Sequence, residues 1–363
     1  MTDRYHQAKI RITAAALFVV VVLSAATVVM AVTGAEGIQS LGGGRYLIGE
    51  TRSVPAQGLG GMRLTGPQNL SGQVIINVGG ADSVHFAINK ILRVGSIEIA
   101  TELDREIQVV LRPVGSLLLV NVETPRGARW EGTNWGVRLE LLVDLPSGWD
   151  LDVDTRHFEF DLNGPFRDVN IRTEFGRVKV KDVARRVDVR GNYTGIELED
   201  VKGTVQCRTA YSDLTVRRAI PAVDEPVRLT NSYGPITVDE LVGTLVAETE
   251  SANFELDGVS LVGGTSRIIG DNAPVHMELK EFGRARLEIQ TSHAPVDLTV
   301  PRHLSAQLSM TVGTGGSIHT RGLTIQTHES LLNQQRVEGV CGSGDGIIDI
   351  TGSGASAVEL VGE

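Results

Sequence analysis

Large aromatic side chains are scarce in this 363-residue chain, where phenylalanine, tyrosine and tryptophan together make up 4%. A core of bulky rings is thereby excluded. The 41% of hydrophobic residues still supplies an aliphatic core and rules out a disordered polymer. Cysteine is nearly absent as well. Cys207 and Cys341 are the two present, and neither belongs to a Cys-x-x-Cys pair or a Cys/His cluster, so zinc and dithiol redox sites lack ligands. An exported chain would permit a bridge between them, but Cys207 occupies an apolar repeat position where a buried thiol is the simpler expectation. Positive charge is also short. The net charge is −10 and there is no Lys/Arg run of five, so no nucleic-acid partner is expected.

Catalytic signatures are missing too. The chain has no Gly-x-Ser-x-Gly elbow, no phosphate loop and no His-Glu-x-x-His pair. Asp150, Asp152, Asp154 and Asp161 have partial calcium-loop spacing, but Thr155 stands where such a loop needs glycine, and alternation with Leu151 and Val153 reads as the wet face of a strand. His157, His276 and His293 are scattered. The acid pairs Glu197/Glu199 and Asp239/Glu240 suit glycoside chemistry by residue type, yet carboxylates alternate throughout these segments and read as solvated faces. No catalytic, cofactor-binding or metal-binding residue is assigned, and the chain is read as a non-enzyme.

Residues 12–32 carry no charge. As a helix they would span about 31 Å, close to the apolar thickness of a bilayer. Arg4, Lys9 and Arg11 precede them, so the positive-inside rule places residues 1–11 in the cytoplasm as a tail and the remainder outside. The expected location is the cell membrane, single-pass. The alternative is a signal sequence cut near Thr33-Gly34-Ala35, giving a secreted or periplasmic chain; the length of the apolar run favours the anchor. Residues 33–72, with Gly42-Gly43-Gly44 and Gly58-Leu59-Gly60-Gly61, read as a glycine-rich stalk holding one short strand near Tyr46. Residues 73–150 contain five β-like runs, including Val74-Ile75-Ile76 and Ile107 to Leu111, and a helical turn is weighed at 88–92.

From Leu151 the chain repeats. Frames begin at Leu151, Val169, Val187, Val205, Val227, Leu245, Ser266 and Leu287, with steps of 18, 18, 18, 22, 18, 21 and 21 residues. Within a frame the first and third positions are mostly apolar, and the fifth is usually threonine (Thr155, Thr173, Thr209, Thr249, Thr291). The seventh is aromatic in four successive frames: Phe175, Tyr193, Tyr211 and Tyr233. Turn residues follow, and positions ten and twelve are apolar around a polar eleventh, as in Val178-Lys179-Val180 and Ile196-Glu197-Leu198. This alternation specifies a strand with one buried face.

A fixed period predicts an all-β, single-chain β-solenoid over residues 151–320, with two short strands per 18-residue coil, threonines paired between neighbours and aromatics in a column. A β-sandwich of hairpins is the alternative. The plain reading of the aromatic column is core or turn packing, and the functional one is a sugar-binding stripe. Residues 321–363 lose the period and read as a β cap closed by Ile347 to Ile350 and Ala357 to Leu360.

These frames resemble the bacterial "putative adhesin" family. Residues 141–155 (LLVDLPSGWDLDVDT) match its opening run, residues 173–180 (TEFGRVKV) its internal repeat and residues 346–350 (GIIDI) its close. The resemblance covers roughly residues 73–363. It implies a β-repeat domain and adhesion to an undefined ligand, with no catalytic residues. The expected function is a membrane-tethered, extracytoplasmic adhesin-like binding or structural protein of the cell envelope, with an envelope protein or a glycan as partner. The alternatives are an envelope-facing regulatory or sensing partner of another membrane protein, and a polysaccharide-active β-helix enzyme.

Overall fold

Backbone hydrogen bonds join strands whose sequences are offset by one repeat. Phe160 lies beside Val178, Val178 beside Ile196, Ile196 beside Leu214, and Leu214 beside Ile236, all in parallel. A second column runs Ile171, Val189, Cys207, Leu229, Ala247, Ile268, Ile289 and Ile350. Every side chain of this second column is buried. Each such Val, Leu or Ile removes enough apolar surface to stabilise the fold by roughly 1.5–3 kcal/mol. In-register stacking therefore follows from period-two alternation inside a frame combined with the repeat between frames.

The computed structural model describes residues 37–363 apart from 81, 223–224 and 331–335. The apolar stretch at 12–32, read as an anchor, lies outside the described residues. Among those described, no helix is long and apolar enough to cross a membrane.

The expected solenoid of two short strands per coil is corrected by how the ladders close. Gly176–Gly191 pairs with both Thr194–Lys202 and Thr204–Thr209. From there one path runs through Leu214–Ile220 and Ile236–Leu241, the other through Val227–Asn231 and Leu245–Thr249. Both paths end on Phe254–Asp271. Eight parallel strands thus form a closed ring, a parallel β-barrel with further strands attached. The sandwich alternative fails on the same ground, because all 26 strands belong to one hydrogen-bonded sheet and not to two separate ones.

The physical reason lies in strand length. His157–Thr173, Gly176–Gly191, Phe254–Asp271 and Val275–Ser292 run 16 to 18 residues. They pass through a frame's second corner without breaking, so one strand serves both walls. In five successive frames a left-handed residue makes that corner: Asp182, Asp200, Arg218, Glu240 and Gly258 have φ of 58°, 56°, 52°, 58° and 64°. Periodicity reveals the spacing of such corners and not whether pairing continues around them.

Ahead of the repeats, the expected stalk is also corrected. Arg45–Pro55 pairs antiparallel with Ser83–Arg93 along its whole length, and Gly61–Thr65 sits between Leu117–Glu123 and Asp150–Asp154. Gly42, Gly43 and Gly44 all have positive φ and form a hairpin turn rather than a linker. The helical turn weighed at 88–92 belongs to the strand Ser83–Arg93. A real helix, Ile97–Glu106, follows it; Ser96 caps its N-terminus, accepting from the Ile99 N–H at 3.4 Å, and Ala100 and Leu103 are buried.

At the far end, Gly346–Ser353 and Ala357–Gly362 lie within the stack, each flanked on both sides by parallel partners. The outer strands are instead Ser317–Arg321 and Gln326–Ser330, the latter joined to the stack through the antiparallel strand Arg336–Cys341. Cys207 and Cys341 are both buried free thiols, and burial raises the pKa of each.

Candidate functional site

In four frames the fifth-position threonine reaches back to a carbonyl of the preceding turn. Thr173 donates to the Arg156 carbonyl at 3.2 Å, Thr209 to Thr194 at 2.8 Å, Thr249 to Ser232 at 3.4 Å and Thr291 to Ala273 at 3.1 Å. The threonines thus satisfy turn carbonyls rather than pairing hydroxyl to hydroxyl. In the frame where asparagine replaces threonine, the Asn231 amide donates to Ser212 at 2.7 Å and to Pro235 at 3.3 Å, and its oxygen accepts from the Gly234 N–H at 3.3 Å. Gly234 itself is required by space, since a Cβ there would stand 2.3 Å from the Ser212 carbonyl oxygen. Tyr193 takes a left-handed φ of 45°.

Those turns project the seventh-position rings into a ladder. His157 stacks on Phe175 with centroids 4.9 Å apart, Phe175 on Tyr193 at 5.4 Å, Tyr193 on Tyr211 at 4.7 Å and Tyr211 on Tyr233 at 5.0 Å. The interplanar angles are 15°, 6°, 12° and 14°. The predicted column is therefore present, but it is not core: Tyr193, Tyr211 and Tyr233 are 50%, 52% and 50% exposed. Phe175, Tyr193 and Tyr211 each have a neighbouring ring on both faces, so these three turn ring edges, and the tyrosines their phenol hydroxyls, to the surface. The Tyr233 hydroxyl bonds to Glu250, which raises its pKa.

Charged side chains flank the ladder. On the strand leading into the turns, Arg172, Arg190 and Arg208 are exposed and directly opposite one another. Arg190 is paired with Asp188 at 3.0 Å. On the other side, a groove of about 400 Å³ borders Tyr211 and is lined by Arg177, Glu197, Ser212, Asp213 and Thr215 among others.

The remaining sequence candidates are not brought together. Asp152 contacts Arg63 at 2.7 Å and Asn170 at 2.7 Å, and Asp150 pairs with Arg167. Among the described residues no group of three or more His, Cys, Asp or Glu side chains is placed to hold a metal ion. Glu197 is bound by Arg217 at 2.6 Å and Glu199 by Lys181 at 3.4 Å and by Arg218. The Arg218 hydrogen bond holds the Glu199 carboxyl below its ordinary pKa, the reverse of what a general acid needs. Asp239 and Glu240 are exposed, with Glu240 at a left-handed corner. His276 lies between Glu255 and Asp297 on neighbouring strands, and His293 takes φ 54° with its ring against Gly354. A second cavity, about 770 Å³, lies beside the helix; Lys90 on its wall already donates to Asp104 Oδ1 at 2.6 Å and to the Asp104 carbonyl at 3.0 Å.

No protein-family model matches the chain, and no curated protein matches it. Solved structures that resemble it are described as putative adhesins or cell adhesion proteins. One, from Clostridium sporogenes, is 8% identical over 87% of this chain and 100% of its own, at a TM-score of 0.22. Another, from Parabacteroides merdae, is 10% identical over 86% of this chain and 95% of its own, at 0.32. A third, from Bacteroides fragilis, is 8% identical over 86% and 96%, at 0.29. Likenesses at these TM-scores decide nothing about function, which has to come from the residues themselves.

Proposed function

We propose that this chain is an adhesin-like binding protein of a bacterial envelope, tethered by residues 12–32 and presenting its β domain outside the membrane. The observation that carries this reading is the half-exposed aromatic ladder. A folded chain gains by burying aromatic surface, and here three tyrosines in successive frames stay half in water while most of the aliphatic side chains beneath them are fully buried. Equivalent groups at regular spacing favour a partner that also repeats, because each added contact raises avidity without a new kind of site. The uncharged run at 12–32, preceded by Arg4, Lys9 and Arg11, supports the tether and its orientation.

Binding is tested with the full chain in detergent micelles and a purified bacterial envelope fraction. Replacing Tyr193, Tyr211 and Tyr233 together with serine should weaken binding at least tenfold while the far-UV circular dichroism stays unchanged. Unaltered binding would remove the ladder from the function. In intact cells, a protease added outside should digest the β domain, and protection of that domain would refute the outward orientation.

A further inference from the structure

We propose that the aromatic ladder and the arginine column beside it form one track for a linear acidic polysaccharide, lying along the repeat axis with one sugar per repeat. This rests on the ladder being a binding face and adds the chemistry of the ligand.

The arginines carry the inference. Arg172, Arg190 and Arg208 occupy the fourth position of three successive frames, so hydrogen-bonded pairing sets them side by side. Parallel neighbours are about 4.8 Å apart, and like charges directly opposite each other oppose folding. One compensating carboxylate, Asp188, serves Arg190 and is shared with Arg186 at 3.4 Å. Arg172 and Arg208 have no carboxylate partner among the described residues. Three crowded, exposed guanidiniums on a chain of net charge −10 run against its overall electrostatics. The column is bounded by Asp154 at one end and, past Thr230, by Glu248 at the other. Its length therefore matches the frames of Phe175, Tyr193 and Tyr211, each three residues further on.

The ladder then selects the kind of anion. Both faces of Phe175, Tyr193 and Tyr211, the rings beside the three arginines, are covered by neighbouring rings; aromatic edges are electropositive, so edges and phenols together favour an oxygen-rich ligand over a flat apolar one. Rings recur every 4.7 to 5.4 Å. Hexoses in an extended chain advance by close to one such step, whereas a peptide strand advances about 3.3 Å per residue and drifts out of register. A uronate on each sugar would reach a guanidinium, whose planar fork suits a carboxylate, while ring oxygens and hydroxyls lie along the tyrosines. Nearby acids do not block the track: Glu174 is engaged by Arg156 at 2.5 Å, Glu250 by the Tyr233 hydroxyl, and Asp213 lies in the groove on the opposite flank.

The test titrates hexamannuronate and hexagalacturonate into the full chain. At least one should bind, weaken steeply with added salt, and lose tenfold or more in affinity when its carboxyls are methyl-esterified. Arg172→Gln, Arg190→Gln and Arg208→Gln should each weaken binding about threefold, and the triple variant about thirtyfold. Failure of both uronates to bind, or a triple variant that binds them normally, overturns the inference. So does equal affinity for an oligodeoxythymidylate with the same dependence on the three arginines, which would mark an unselective polyanion surface. If the triple arginine variant still holds envelope material and the triple tyrosine variant does not, the adhesin reading survives and the acidic glycan is excluded.

Discussion

Glu140 is a carboxylate in the wrong solvent. It is buried in the sheet with the Arg138 guanidinium 3.6 Å away, and burial outweighs that neighbour and raises its pKa. A carboxyl whose folded pKa exceeds its unfolded one favours folding below the ordinary carboxylate range, and that contribution is lost as pH rises through the folded value. Glu140→Gln should therefore unfold at a higher temperature than the parent at neutral pH, with the two melting curves converging under acid conditions. A variant less stable at both pH values would show that the Arg138 contact dominates. Nothing in the sequence marked Glu140, because a polar residue in an alternating strand looks solvated until its neighbours are known. Apolar positions such as Val178, Val180, Val187 and Val189 were legible because their alternation and their repeat agree.

At the scale of the turn, Thr209 and Asn231 do one job with different side chains. Each fills the fifth position of its frame and donates to a carbonyl of the turn before it. Thr209→Val keeps the shape and leaves the Thr194 carbonyl without that donor, at a cost of about 1 kcal/mol. Asn231→Ala breaks three hydrogen bonds and should cost more, about 2–3 kcal/mol. Urea denaturation of the full-length variants measures both, and equal losses would contradict the bridging role given to Asn231. The recurrence of the aromatic position could be read directly from residues 175, 193, 211 and 233. Its exposure could not, since core and surface columns repeat identically, and the left-handed position in the second of these turns is filled by Tyr193 itself rather than by a glycine. The arginines at 172, 190 and 208 keep an 18-residue interval as well, but only the register of the paired strands shows that they stand side by side.

For the whole molecule, the repeat predicted which residues stack, but the ring of eight strands depended on long strands rounding their corners, which no local pattern encodes. The ends matter most for behaviour in solution. Among the described strands, Ile38–Gly42, Gln108–Val114, Ser317–Arg321 and Gln326–Ser330 each have a ladder partner on one side alone. Gln108–Val114 carries Pro113, which has no N–H to offer, and an exposed Arg112 beside it. Replacing both with valine should yield larger species by light scattering after size-exclusion chromatography. A strictly unchanged mass would show that this border needs no protection. With its borders short, charged or interrupted, the protein is built against growing into a fibre even though stacked parallel strands are the material of fibres. Each molecule is then a finite unit, and the number of rings it can offer is fixed by its own frames.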